Sequence, residues 1–131
     1  MKPKLIVLLP AIALASFVPL LTAASPAPAA MAPAEGSALY RQRCIGCHSV
    51  EAGRNNPAGP NLAGIVGRQA AAGEFGYSPA LRKSKFTWTR AKLDEFLAGP
   101  SSLVPGTRMV IGVSNAVERK AIIDYLASCK S

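Results

Sequence analysis

The sequence is poor in the side chains that most metal and nucleic-acid sites require. Its 131 residues include one histidine, three cysteines and one tryptophan. A structural zinc site takes four ligands, so it would need every cysteine and histidine of the chain, and Cys129 stands far from the others without a motif around it. Aromatic residues make up only 6% of the chain, and no basic helix or known binding motif is present. These absences argue against a zinc domain and against nucleic-acid binding.

The sequence also lacks the alternation of polar and apolar residues that β-strands show, and it has no internal repeat. Helix signals separated by glycine- and proline-rich stretches take their place, so the sequence predicts a small all-α protein with long loops. The formal net charge is +8, and leaving out Lys2 and Lys4 gives 13 basic against 7 acidic residues, or +6. This excess suits an acidic partner surface, and it also suits ordinary solubility.

The segment Cys44-Ile45-Gly46-Cys47-His48 carries the strongest chemical signal. Two cysteines separated by two residues and followed at once by histidine are typical of a c-type haem attachment site. Each thiol can add to one vinyl group of a haem, and the adjacent imidazole can then reach the iron from one face. A thioredoxin-like cysteine pair would require strand-helix alternation, which is missing. The segment therefore predicts one haem c attached through Cys44 and Cys47, with His48 as a ligand to the iron.

The first residues are predicted to direct export. Lys2 and Lys4 precede an apolar run at 5–21, and small residues follow it, so residues 1–24 form the predicted signal peptide, whose cleavage site stays open. The apolar run is shorter than the roughly 20 residues of a spanning helix, although a retained leader would anchor the protein to the membrane. Residues 25–34 are a Pro/Ala-rich linker or disordered tail, and 35–131 form the domain. Because haem is attached to this motif outside the cytoplasmic membrane in bacteria, the predicted location is periplasmic.

Four helices are predicted from capping residues and apolar spacing. The first covers 35 to about 43, the second runs from Pro79 to about 83 after Ser78, and the third covers 90–98 after Thr89. Residues 49–67 and 101–113 are predicted to be irregular. Ser114 or Asn115 caps the last helix, with Glu118 in the position of a capping box. Its predicted apolar stripe consists of Val117, Ala121, Ile122, Tyr125 and Leu126.

The second iron ligand is predicted by elimination. His48 is the only histidine, Met1 is the initiator and Met31 lies in the linker, so Met109 is the one methionine inside the domain. It follows Pro105-Gly106 in an irregular segment, where a side chain can be directed at a ligand. An open or lysine-bound sixth position is the alternative. An open position would permit ligand binding or peroxidase-type chemistry.

Several further motifs, together with the haem segment, resemble those of class I c-type cytochromes, above all mitochondrial cytochrome c and its soluble bacterial counterparts. The resemblance extends from about Gly36 to Leu126, and its motifs are GPNLAGIVGR at 59–68, FGYSPA at 75–80, Trp88, PGTRM at 105–109 and ERKAIIDYL at 118–126. It implies a small monohaem cytochrome c fold, with helices and long loops wrapped around one covalent haem. In that fold the N- and C-terminal helices cross, here with Gly36 and Tyr40 against Ile122 and Tyr125.

The resemblance also implies a role for individual residues around the haem. The Pro60 carbonyl would accept a hydrogen bond from His48 and raise the basicity of its ring. Met109 would be the distal ligand, and a thioether opposite an imidazole raises the reduction potential.

The haem propionates have their own predicted partners. Arg68, Tyr77 and Trp88 would hydrogen-bond or neutralise one buried propionate, because an unpaired carboxylate there would be costly. Thr107 would assist at the other propionate.

The resemblance implies a non-enzymatic, monomeric one-electron carrier that exchanges electrons with an oxidase, reductase or dehydrogenase. Relatives of the mitochondrial type surround the haem edge with lysines, and Arg43 and Arg108 keep two of those positions. An acidic docking surface on the partner is therefore expected. The alternatives are a haem protein with an open sixth position and a membrane-anchored electron-transfer module.

Overall fold

The protein is described by a computed structural model covering residues 33–131. This part contains five helices: α1 (Pro33–Arg43), α2 (Pro79–Lys83), α3 (Arg90–Ala98), α4 (Pro100–Leu103) and α5 (Ala116–Ser128). Within residues 33–131 the only β pairing consists of two isolated bridges, Asn56–Gly59 and Gln69–Thr87. The predicted all-α fold with long loops is confirmed.

The N-terminal boundary differs slightly from the prediction. The predicted signal peptide and most of the predicted linker lie outside the described residues, and α1 begins at Pro33 rather than at Glu35. Among residues 33–131, no helix is long and apolar enough to cross a membrane.

The helices begin where local capping chemistry predicts. The Ser78 hydroxyl accepts a hydrogen bond from the Leu81 N–H at 3.1 Å, and Thr89 caps α3 in the same way. The side chain of Asn115 accepts hydrogen bonds from the first turn of α5. The carboxylate of Glu118 lies 2.8 Å from the guanidinium of Arg43, so this residue links α5 to α1. The caps at these three helices are therefore confirmed.

Helices α1 and α5 cross at the predicted residues. Gly36 allows the close approach, because a Cβ at this position would overlap the carbonyl oxygen of Ala121 and lie 3.0 Å from the Cβ of Tyr125. One turn later Tyr40 is 2% exposed, and its ring centroid lies 5.4 Å from that of Tyr125. Ile122 is fully buried in the same contact. The crossing predicted for the two terminal helices is confirmed.

Two details of the predicted helices are wrong. Residues 100–103 form the short helix α4, which begins at Pro100, so the segment after α3 is not irregular throughout. Proline suits this position because the first helical residue has no N–H bond to lose. In α5, Val117 is 51% exposed and does not belong to the core, whereas Ile123 is buried. Because α5 packs against both α1 and α3, its buried surface is wider than one stripe.

Candidate functional site

All the residues predicted to hold or surround the cofactor line one cavity. The cavity has a volume of about 370 Å³ and lies between the segment after α1, helix α3 and the segment that joins α4 to α5. The predicted residues that line it are Cys44, Cys47, His48, Pro60, Arg68, Tyr77, Trp88, Thr107 and Met109. Residues up to 65 positions apart, from Cys44 to Met109, are therefore brought to one place by the fold.

The chemistry of the lining fits a haem. Apolar side chains form most of the wall, and they include Leu62, Ile65, Leu93, Leu97, Val113 and Leu126. Two thiols, one imidazole and one thioether supply sulfur and nitrogen donors, while an arginine and a tyrosine supply groups suited to carboxylates. An apolar slot with a few convergent polar groups is the general form of a cofactor site. Haem requires this combination, because its macrocycle is flat and apolar whereas its propionates are charged.

The two cysteines lie on a tight turn that continues directly from α1. The Cys44 N–H donates to the Tyr40 carbonyl at 2.8 Å, and the His48 N–H donates to the Cys44 carbonyl at 2.9 Å. This turn holds both thiols and the imidazole at the cavity within one short segment. Cys44 is half-buried and Cys47 is exposed. Burial raises the pKa of the Cys44 thiol.

His48 is held through its Nδ1 atom, which lies 2.8 Å from the carbonyl oxygen of Pro60. A carbonyl can only accept, so Nδ1 carries the proton and Nε2 keeps its lone pair. Burial lowers the pKa of His48, and the hydrogen bond to Pro60 acts in the opposite direction. The ring is thus kept as the neutral imidazole that a metal binds.

Two residues for which the sequence predicts no contact with His48 also fix this histidine. Tyr40 donates its hydroxyl proton to the backbone carbonyl of His48 at 2.8 Å. Desolvation by burial raises the pKa of Tyr40 to about 12, so the donor keeps its proton at neutral pH. Gly59 leaves room for the imidazole, because a Cβ there would lie 2.7 Å from Cε1 of His48. Both contacts join residues distant in the chain, and neither has a signal in the local pattern.

Arg68 and Tyr77 occupy one end of the cavity. The Arg68 guanidinium donates to the backbone carbonyls of Asn61 at 2.6 Å and of Ala63 at 3.3 Å. Tyr77 is buried, and desolvation raises its pKa while the nearby Arg68 lowers it. A second cavity of about 340 Å³ is lined by the same two side chains. Their predicted role toward a propionate stays a prediction.

Trp88 belongs to the hydrophobic core as well as to the cavity wall. It is 6% exposed and makes edge-to-face contacts with Phe86, at 4.7 Å between ring centroids, and with Phe96, at 5.0 Å. Such pairs stabilise a core by about 1 kcal/mol beyond the area they bury. A contact of its indole with a propionate stays a prediction.

Met109 lies in the segment between α4 and α5, and it is half-buried against the hydrophobic core. Its N–H donates to the Thr107 hydroxyl at 3.4 Å. The next two residues, Val110 and Ile111, also line the cavity and are 74% and 57% exposed. The segment therefore turns one side chain inward and presents apolar surface at the mouth of the cavity.

Comparison with known proteins decides the family. The family described as cytochrome c matches residues 33–130, which covers the whole described domain except its last residue. The chain belongs to the cytochrome c family. This cytochrome c binds one haem c covalently through Cys44 and Cys47, and it is an electron carrier rather than an enzyme. The family also implies protein redox partners.

Individual relatives agree with this assignment. Cytochrome c2 iso-2 of Magnetospirillum molischianum is 44% identical over 89 residues, which are 66% of this chain and 91% of the relative. Cytochrome c of Theileria annulata is 34% identical over 100 residues, which are 76% of this chain and 87% of the relative. The structure of cytochrome cH from Methylobacterium extorquens aligns with a TM-score of 0.66 and 40% identity, over 72% of this chain and 95% of that one.

Proposed function

We propose that this cytochrome c is an exported, periplasmic one-electron carrier whose iron is held by His48 on one face and Met109 on the other. One observation carries the ligand assignment. The only histidine of the chain and the only methionine of residues 33–131 line the same cavity as Cys44 and Cys47. The two residues lie 61 positions apart in the sequence.

When bound, haem c supplies a centre that gains and loses a single electron. The protein contributes the ligand set and its surroundings. Pro60 holds the Nδ1 proton of His48, which makes the free Nε2 a stronger donor. The thioether of Met109 favours the reduced state and thus a high reduction potential. If His48 and Met109 both hold the iron, no substrate would have to bind it.

Groups at one end of the cavity are proposed to neutralise or hydrogen-bond the haem propionates. The Arg68 guanidinium is already fixed by two backbone carbonyls, so little conformational entropy is lost when it faces a carboxylate. An ordinary tyrosine is already protonated at neutral pH, and burial raises the pKa of Tyr77 further, so its hydroxyl can donate a hydrogen bond. Trp88 and Thr107 complete the set proposed from the resemblance, through an indole N–H and a hydroxyl.

The proposed periplasmic location depends on the leader. Residues 1–24 have the pattern of a signal peptide, and haem attachment to a Cys-x-x-Cys-His segment takes place outside the cytoplasmic membrane. The two features require the same compartment. A soluble carrier in that compartment, released by cleavage of the leader, can move between membrane-bound donors and acceptors.

Substitution of Met109 by leucine tests the ligand assignment. We expect ferric wild-type protein, isolated from a periplasmic extract without its leader, to show the weak far-red absorption band of a methionine–iron bond. Leucine has a similar volume but no sulfur, so Met109→Leu should lose the band and bind added imidazole at least tenfold more tightly. Met31→Leu is the matched control and should keep the far-red band. A wild-type protein without the band, or a Met109→Leu protein that retains it, would contradict the assignment.

Partner docking is proposed to be electrostatic, with an acidic protein surface meeting the cationic rim of the cavity. Arg108 is exposed and lines the cavity, whereas Arg54 is paired with Glu51 and does not line it. We expect the rate of electron transfer to an acidic redox protein to fall about tenfold between 0.01 M and 0.15 M ionic strength, since the screening length shortens from about 30 to 8 Å. Arg108→Gln should reduce the rate at low salt more than Arg54→Gln. Rates that do not depend on salt would instead indicate apolar docking.

A further inference from the structure

The segment that carries Met109 has no regular secondary structure to fix its backbone. It extends from Val104 to Asn115 between α4 and α5. At its N-terminal end, the Thr107 N–H donates to the carbonyl of Val104 at 3.0 Å. Beyond Met109, Val110 and Ile111 are largely exposed. The position of Met109 therefore depends also on how the C-terminal end of the segment is fixed.

The side chain of Arg119 makes three hydrogen bonds, and two of them hold the C-terminal end of this segment. The guanidinium of Arg119, on the first turns of α5, donates from Nη1 to the backbone carbonyls of Val113 at 3.0 Å and of Ser114 at 2.8 Å. Its Nε donates to the carboxylate of Asp94 on α3 at 2.7 Å. The Arg119 side chain is only 12% exposed, whereas the Asp94 side chain is 46% exposed and Ser114 also faces solvent. A charged donor makes hydrogen bonds about twice as strong as a neutral one.

Val113 connects this clamp to the cavity. It is 3% exposed, its N–H donates to the carbonyl of Leu97 on α3 at 2.7 Å, and its carbonyl accepts from Arg119. Both polar backbone groups of Val113 are thus fixed to neighbouring helices. Val113, Leu97 and Met109 line the same cavity. Val113 lies only four positions from Met109, and four residues of extended chain span at most about 14 Å, so the fixed backbone of Val113 limits where Met109 can lie.

We propose that Arg119 is a positioning residue for Met109. Through the carbonyls of Val113 and Ser114 it holds the segment 104–115 against α3, and so it keeps the thioether directed into the cavity. Asp94 orients the guanidinium for this task. The inference rests on the proposed ligation of iron by Met109, and it adds a residue that contacts neither the cavity nor the proposed ligands.

The chain offers a matched control for a purely structural effect. Arg90 and Asp124 also join α3 to α5 by an ion pair, but their side chains form no described hydrogen bond or ion pair with residues 104–115. Replacing either Arg90 or Arg119 by glutamine removes one positive charge and one ion pair between the same two helices. Only the change at Arg119 also removes the donors to Val113 and Ser114.

The experiment measures how easily imidazole displaces Met109 in the ferric holoprotein, followed by loss of the far-red band. We expect Arg119→Gln to increase the apparent imidazole affinity about tenfold, whereas Arg90→Gln should change it less than twofold. Amide hydrogen exchange of residues 110–114 should accelerate in Arg119→Gln alone. If Arg119→Gln yields no folded holoprotein, Asp94→Asn keeps the bonds to the two carbonyls and should increase the affinity by a smaller factor, about threefold.

Each outcome decides a separate point. Equal imidazole affinities for the two glutamine variants would overturn the inference, because Arg119 would then act only through general stability. An unchanged affinity in Asp94→Asn, where that variant has to replace Arg119→Gln, would overturn it as well. If wild-type protein lacks the far-red band, or Met109→Leu retains it, the ligation itself fails and the inference fails with it. If Met109→Leu loses the band, ligation by Met109 stands. If the band of Arg119→Gln then resists imidazole as well as that of the wild-type protein, only the inference about Arg119 is overturned.

Discussion

Replacing Gly36 by alanine is expected to destabilise the protein by about 2 kcal/mol, although alanine is the better helix former. A Cβ at this position would overlap the carbonyl oxygen of Ala121 and come within 3.0 Å of the Cβ of Tyr125. Since the carbonyl belongs to the backbone of α5, the two helices have to separate. Overpacking typically costs about 1–3 kcal/mol, and the upper end applies here because the clash is with backbone; the gain in helix propensity, about 1 kcal/mol, then leaves about 2 kcal/mol.

Thermal unfolding of the ferric holoprotein measures this effect. The melting temperature should fall by about 10 °C for a domain of this size. Gly76→Ala is the control, because a Cβ there meets only the end of the Arg108 side chain, at 3.9 Å. An increase in stability for Gly36→Ala would mean that helix propensity dominates and that the α1–α5 contact is looser than described.

Replacing Gly59 by alanine is expected to disturb His48 without a comparable loss of the fold. The added Cβ would lie 2.6 Å from the Cys47 carbonyl oxygen, 2.7 Å from Cε1 of His48 and 2.8 Å from its Nδ1. The imidazole has to tilt or the loop at 57–60 has to move, and either change breaks the hydrogen bond to Pro60. A ring without that acceptor is a weaker donor. Because a basic imidazole favours ferric iron more than ferrous iron, the reduction potential should rise.

A tenfold change in the balance of oxidised and reduced protein corresponds to about 59 mV for one electron, and we expect a rise of that order in Gly59→Ala. Equilibrium redox titration of the holoprotein gives the value. Gly46→Ala is the matched control within the haem segment, because a Cβ at Gly46 has no atom within 4 Å. An unchanged potential in Gly59→Ala, together with a normal yield of holoprotein, would show that the ring tolerates the extra methyl group.

The sequence was most informative where structure is decided by neighbouring residues. Ser78, Thr89 and Asn115 cap helices because each places a side-chain oxygen next to free backbone N–H groups, and that chemistry is visible within four residues. Helix α4 is not predicted because four residues starting with proline carry almost no periodic signal. The prediction that Val117 belongs to the core is wrong, since the sequence does not reveal how many neighbours α5 has.

The candidate site was predictable as a set of residues but not as an arrangement. The Cys-x-x-Cys-His segment names a cofactor because thiol and imidazole chemistry at that spacing has few other uses. The roles of Pro60, Arg68 and Thr107 came only from the resemblance, since each residue has an ordinary structural explanation on its own. Gly59 and Arg119 were not assigned at all. Their importance lies in contacts with residues 11 and 6 positions away, and only the folded chain shows those contacts.

The crossing of α1 and α5 also governs when a chain of this kind becomes stable. The segment that binds haem follows α1 at once, but residues 44–115 separate that helix from α5, the surface on which it packs. A chain that stops before Ala116 keeps both thiols and the imidazole, yet Gly36 and Tyr40 lack the surface of α5 against which they pack. A contact closed across so long a segment also costs more loop-closure entropy than a local one. A fragment of this kind that has acquired haem would therefore remain susceptible to proteolysis. Only a chain that includes α5 can complete the fold and become resistant.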